Sequence, residues 1–187
     1  HDVIINHNTI SKIRKRYKQY IRKFSPKFNL IIMEGSSVTK NIEETHYKLH
    51  VKDAEGQFRS RNSYTTQADC ARNHEAIFVM AKLKSTGVIV GSLLIALHKK
   101  NAVDWSVGID PDYINMYVSH LLKWKTIETL IARGYENYDL GGIKAVSPSL
   151  NWQPSKIQYG ISHFKDGWAR GCERKYFVAE KFLTKNS

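Results

Sequence analysis

The stretch Tyr138-Asp139-Leu140-Gly141-Gly142-Ile143 decides how the rest of the chain is read. A short apolar run over 138–140 ends in two glycines, as a buried strand does when its end opens into a site. The Gly141-Gly142 pair lets the backbone approach a substrate closely or take a positive φ. A polar loop over 144–159 follows, carrying Pro148 and Pro154. Loops of that length are uncommon in compact domains and are usually functional or disordered. Then comes Gly160-Ile161-Ser162-His163-Phe164-Lys165-Asp166-Gly167-Trp168, a short helical segment with Ile161, Phe164 and Trp168 on one face. That spacing sets Lys165 beside a packed aromatic. A cation at the rim of a Gly-rich strand end suits a developing negative charge.

Upstream, Tyr117, Leu121, Trp124, Ile127, Leu130 and Ile131 repeat at helical spacing, closed by Arg133-Gly134. Three strands precede them, over 77–83, 88–97 and 102–107, with turns at Ser85-Thr86-Gly87 and Lys99-Lys100-Asn101 and a loop over 108–115. Residues 28–33 read as a buried strand. A helix follows, capped by Ser36 or Ser37, with Val38, Ile42, Thr45 and Leu49 inward, and a second helix spans 66–74. Residues 10–24 read as one amphipathic helix stopped by Ser25-Pro26, and 174–179 as a last strand. The division expected is a basic N-terminal helix over 1–26 and a domain over 27–187. The order β-α-α-β-β-β-α-β-α-β predicts an α/β (α+β) chain with a central mixed sheet flanked by helices. It is the layout of the GNAT-like acyl-CoA N-acyltransferase fold.

The 187 residues, 42% hydrophobic and 25% charged, are long and apolar enough to bury a core. No apolar run reaches ~18 residues, and no charged-then-apolar leader opens the sequence. A cytoplasmic protein is therefore expected, with peripheral contact at the inner membrane face left open. Lysine and arginine outnumber acids 29 to 17, a net charge of +12. That excess points to phosphate-rich partners: nucleic acid, nucleotide conjugates or an anionic membrane. Residues 10–24 concentrate it, as a solvated cationic face, a phosphate- or RNA-binding helix with Arg14, Arg16 and Lys18 as contacts, or a membrane-surface segment. Cys70 and Cys172 match no metal-ligand spacing, so two reduced thiols and no metal site are expected. Neither a P-loop nor a dinucleotide fingerprint occurs, which sets aside ordinary NTP and dinucleotide sites.

The region from Gly91 to Phe177 resembles the C-terminal GNAT-like domain of the FemAB/FemX family of peptidoglycan-bridge aminoacyltransferases. The resemblance is carried by Ala81-Lys-Leu, Gly91-Ser-Leu-Leu and Leu121-Leu-Lys-Trp-Lys-Thr-Ile. It is carried further by Tyr138-Asp-Leu-Gly-Gly-Ile143 and Gly160-Ile-Ser-His-Phe-Lys165. It implies transfer of an amino acid from aminoacyl-tRNA to an amino group of a nucleotide- or lipid-linked cell-wall precursor. Aminoacyl-tRNA is then the donor co-substrate, with no other cofactor. By resemblance, Lys165 stabilises the tRNA-linked reaction centre with Phe164 packed beside it, and Arg61 and Tyr64 hold the precursor. The chain covers about half of a two-domain family member, so an N-terminal GNAT-like domain is implied to complete the cleft. Where family members often carry tyrosines before the central helix, this sequence has Val103, Asp104 and Trp105.

Ester aminolysis also needs a base, and Asp139 and His163 are the nearest in sequence to Lys165. Asp139 could equally cap the Gly-Gly turn, and His163 could be a surface or packing residue. Lys165 itself is either functional or one more surface lysine of a basic protein. Trp152 is either a stacking platform for a base or sugar, or a loop anchor. A CoA-dependent acetyltransferase would hold pyrophosphate where the central strand meets the central helix. There, Asp110 and Asp112 would repel it. Acetyl-CoA as alternative donor, and a non-catalytic RNA- or precursor-binding module, are the two rival readings.

Overall fold

A computed structural model describes residues 2–4, 7–54, 56, 59–142, 146 and 151–169. In chain order the elements are β1 (Asp2–Ile4), α1 (His7–Lys12), α2 (Lys15–Phe24), β2 (Phe28–Met33), α3 (Lys40–Asp53) and α4 (Arg61–Arg72). After these come β3 (Ala76–Leu83), β4 (Ile89–His98), β5 (Asn101–Ile109), α5 (Val118–Ala132), β6 (Asn137–Asp139) and α6 (Lys156–Trp168). The strands form one six-stranded sheet in the order β1-β6-β5-β4-β3-β2. All neighbours are antiparallel except β5 and β6, which run parallel.

The central strands are apolar on both faces because both faces are covered. From Ala76 to Ala81, β3 is fully buried. On one side Ile77, Val79 and Leu93 pack with α2 and α5 through Tyr17, Ile21, Leu121, Leu122 and Ile127. On the other, Phe78, Met80 and Leu94 pack with α3 and α4 through Ile42, Ala68 and Ala71. Gly108 is required by this layering, since a Cβ there would lie 2.4 Å from the backbone nitrogen of His50 in α3.

One irregularity positions the site. β5 continues to Ile109, yet it pairs with β6 only from Asn101 to Val103, and β6 ends at Asp139. Beyond that point the two parallel strands part, leaving a crevice at their carboxyl ends, where ligands of open α/β sheets commonly bind.

The structure corrects several local expectations. The helix expected over 10–24 is broken into α1 and α2, because Arg14 takes extended backbone angles and its N–H donates to the Gly167 carbonyl at 3.0 Å. A tertiary hydrogen bond replaces a helical one there. The cap of α3 is Thr39, which accepts from Ile42 N–H at 3.4 Å. Ser37 is used instead in a tight turn, accepting the Glu34 N–H at 2.9 Å. α4 begins at Arg61 and so takes in both Arg61 and Tyr64. α6 begins at Lys156, inside the expected loop, because Ser155 and Gln158 form a reciprocal capping box. β1 is an addition to the expected strands. The strand expected over 174–179, and Cys172, lie outside the described residues. No described helix is long and apolar enough to cross a membrane.

Candidate active site

A cavity of about 730 Å³ fills the crevice between β5 and Leu140-Gly141. α6 covers it with Ile157, Ile161 and Phe164, and α5 closes the back with Leu122 and Lys123. Its floor carries charge in apolar surroundings. Lys123 Nζ donates to Asp104 on β5 and, at 2.8 Å, to the Tyr138 hydroxyl on β6. The Tyr138 O–H donates in turn to the other Asp104 oxygen. Three elements thus meet in one ring of hydrogen bonds.

Lys123 sits on the inner face of α5, where helical spacing alone expects an apolar residue. A buried ammonium persists only when paired, and Asp104 supplies the pair. Burial pulls the Lys123 pKa down, and the Asp104 carboxylate works against that. Burial also raises the Tyr138 hydroxyl well above its ordinary value, with Asp104 adding to the effect. Tyr138 therefore stays protonated and donating. Asp104 is the member of the ring that meets the cavity most openly: its side chain is 20% exposed, against 5% for Lys123.

Lys165 reaches the same cavity from α6. Its Nζ donates to the Gly142 carbonyl at 2.9 Å. Burial lowers its pKa, partly offset by the nearby Asp104 carboxylate. Gly141 takes φ +74°, and a Cβ there would lie 3.3 Å from the Lys165 nitrogen. Asp139 Oδ1 accepts the Gly141 N–H at 2.7 Å, so this carboxylate oxygen holds the glycine turn. The structure therefore brings Lys165, Phe164, Gly141, Gly142 and Asp139 together at the strand end.

The remaining candidates lie elsewhere. His163 is exposed, 2.6 Å from Arg14 Nη1, and does not line the cavity. Consecutive helical residues face about 100° apart, so placing Lys165 inward turns His163 away. Trp152 is exposed and also off the cavity. Arg61 pairs with Glu44 and lies over the Tyr47 ring at 4.0 Å. Tyr64 is buried, its hydroxyl 3.0 Å from His50 Nδ1. Neither lines the cavity. Of the basic trio, Arg14 is taken up by His163, Lys18 donates to the Ser11 carbonyl at 3.0 Å, and Arg16 is exposed beside the Tyr20 ring.

Sequence reasoning missed Asp104, Lys123 and Tyr138 as a unit, and also His120. The His120 ring sits against Tyr17, Tyr20, Tyr117 and Phe164 with centroids 4.5 to 5.4 Å away. Burial holds its pKa at about 4, so it is neutral at pH 7 and packs as an aromatic. This box ties α2 to the helix that carries Lys165. The one signal available was a lysine among the apolar positions of α5, opposite an acid on a strand.

Asp110 and Asp112, at the approach to α5, are both bridged by Lys52, at 2.5 and 2.9 Å. That pairing reduces the repulsion the sequence alone suggests.

Solved structures with this architecture include FemX, with a TM-score of 0.69 and 12% identity over 90% of this chain and 57% of that one. L-PGS from Bacillus licheniformis aligns with a TM-score of 0.62 and 11% identity over 89% of this chain and 55% of that one. An aminoglycoside acetyltransferase, meta-AAC0020 from an uncultured soil metagenomic sample, aligns with a TM-score of 0.60 and 14% identity, over 86% and 99%. The chain thus spans little more than half the length of the first two. No curated protein sequence matches it. The family model described as "Acetyltransferase (GNAT) domain" matches residues 51–159. That match takes in more than half of the sequence and the whole of β3 to β6, and the chain belongs to the GNAT acetyltransferase domain family.

Proposed function

We propose that this chain is a Fem-type N-acyltransferase that moves an amino acid, or a related acyl group, from an activated donor such as aminoacyl-tRNA to an amine. The amine belongs to a cell-wall precursor or a similar acceptor. The observation that carries the reading is Lys165: a half-buried ammonium anchored on the Gly142 carbonyl at the parted strand ends, facing a closed-backed cavity. In the reaction the amine nitrogen attacks the ester carbonyl carbon and a C–N bond forms. The C–O bond to the leaving hydroxyl then breaks, the amine loses a proton and the leaving oxygen gains one. Charge builds on the carbonyl oxygen between these events, and Lys165 meets it. One preorganised donor of this kind is worth ~2.7–4 kcal/mol in well-studied enzymes. Likeness to FemX in fold and the cationic α2 are consistent with a polyanionic donor. An N-terminal partner domain, acting with this one, would complete the acceptor cleft.

A CoA-dependent N-acetyltransferase is the second reading. The matched family and the Lys52 bridges, which partly neutralise Asp110 and Asp112, favour it. Titration calorimetry at matched salt with acetyl-CoA and with aminoacyl-tRNA separates the two. The expected result is salt-dependent tRNA binding, no CoA binding, and transfer whose kcat falls about 100- to 1,000-fold in Lys165→Ala with tRNA affinity unchanged. Saturable micromolar CoA binding would overturn the donor and promote the acetyltransferase.

A further inference from the structure

We infer that Asp104 reads the free ammonium of the transferred group, so that the site selects an α-aminoacyl donor over a plain acyl donor. The inference rests on the acyl-transfer reading of the cavity and adds the chemical class of the donor. A carboxylate has about four lone-pair directions. Tyr138 fills one on one oxygen and Lys123 one on the other. What remains of the carboxylate faces the cavity, where its side chain is 20% exposed, against 5% for Lys123 at the back of the cavity, while Tyr138 is fully buried. Its two partners come from α5 and β6, so its orientation is set by two elements of the fold.

The surroundings define what fits. An α-aminoacyl ester carries an ammonium next to its reacting carbonyl. It therefore needs an anion for the first and a cation for the oxygen of the second. The cavity supplies Asp104 and Lys165, lining the same space. A bound ammonium and a developing oxyanion also cancel each other, which leaves the balance of the floor between Asp104 and Lys123 undisturbed. An acetyl or propionyl group offers Asp104 nothing. It would trade water at the open lone pairs for methyl groups, and sites built to hydrogen-bond a substrate group discriminate strongly against analogues lacking it.

The test uses the full chain and two unreactive RNA oligonucleotides, one amide-linked to alanine and one to propionate, which differ by a single amino group. The wild type is expected to bind the alanyl conjugate at least ~10-fold more tightly. Asp104→Asn should abolish that gap by weakening the alanyl conjugate alone, and Asp104→Glu should retain part of it. Because Asp104→Asn strands the Lys123 charge, Asp104→Asn/Lys123→Met provides a second, charge-free variant with the same expected loss of preference. Equal binding of both conjugates by the wild type overturns the role of Asp104 and leaves acyl transfer standing. Binding of neither, with acetyl-CoA bound instead, removes the aminoacyl donor itself and this inference with it.

Discussion

Gly141 holds a left-handed backbone conformation beside the Lys165 ammonium. Its φ of +74° suits glycine, and a methyl group would sit 3.3 Å from the Lys165 nitrogen. Gly141→Ala should cost about 1–2 kcal/mol in stability from the left-handed backbone alone. It should also push the ammonium from its place over the Gly142 carbonyl, so that kcat falls more than thermal stability accounts for. Melting curves beside transfer rates check this, and a lower Tm with an unchanged kcat would detach Lys165 from the turn. Much at this residue scale is legible in the sequence, because the Gly-Gly strand end and the Phe-Lys pair lie at recognisable spacings. Spacing alone leaves Asp139 between base and cap, and the structure shows one of its oxygens accepting the Gly141 N–H.

Between elements, an electrostatic clamp lies away from the cavity, where α3 and α4 cross. Glu43 is 3% exposed and joined to Arg72 at 2.8 Å, Thr65 at 2.8 Å and Lys40 at 3.1 Å. Burial favours the neutral acid, but these three donors together win and hold its pKa down to about 2. A carboxyl with a depressed folded pKa stabilises the fold fully above its unfolded value of about 4.5 and loses that contribution as pH falls towards 2. The shift corresponds to about 3 kcal/mol. Glu43→Gln should therefore lower stability near neutral pH and flatten the decline between pH 4.5 and 2, as read by denaturant titration across that window. An unchanged acid limb would show that the clamp is not a stability determinant. Helical periodicity points to the inner faces of these helices, but it does not give Glu43 or His46 a buried place among them. Those two are tolerated only because α4, β4 and β5 bring them partners: His46 lies 2.9 Å from Ser92 Oγ and 2.8 Å from Ser106 Oγ.

For the whole molecule, charge is distributed unevenly. From Lys12 to Lys27 the sequence has eight cations and no acid. α2 buries Tyr17, Ile21 and Phe24 and leaves Lys15, Arg16, Arg22 and Lys23 exposed. These four, rather than Arg14 and Lys18, which are engaged within the chain, are the exposed cations of α2. Replacing all four by Ala should weaken tRNA binding and reduce the slope of log K against log salt by roughly 0.7–0.9 for each phosphate no longer neutralised. An unchanged slope would take α2 out of donor binding. The same helix is fastened to α6 through the ring of aromatics about His120, so occupancy of the basic face and placement of Lys165 share one packed unit.

Local spacing in the chain is enough to encode the order of strands and helices from β2 to α6, the glycine turn, the cationic helix and the position of Lys165. Such patterns carry that information because apolar period and turn chemistry act over a few residues. Which lysine, acid and tyrosine share one floor is a matter of tertiary structure alone. Asp104, Lys123 and Tyr138 are 15 to 34 residues apart and meet because β6 lies beside β5 and α5 crosses behind both. Tertiary packing likewise breaks the first helix at Arg14 and turns His163 to the surface, since the Gly167 carbonyl and the direction of α6 are set by distant parts of the chain.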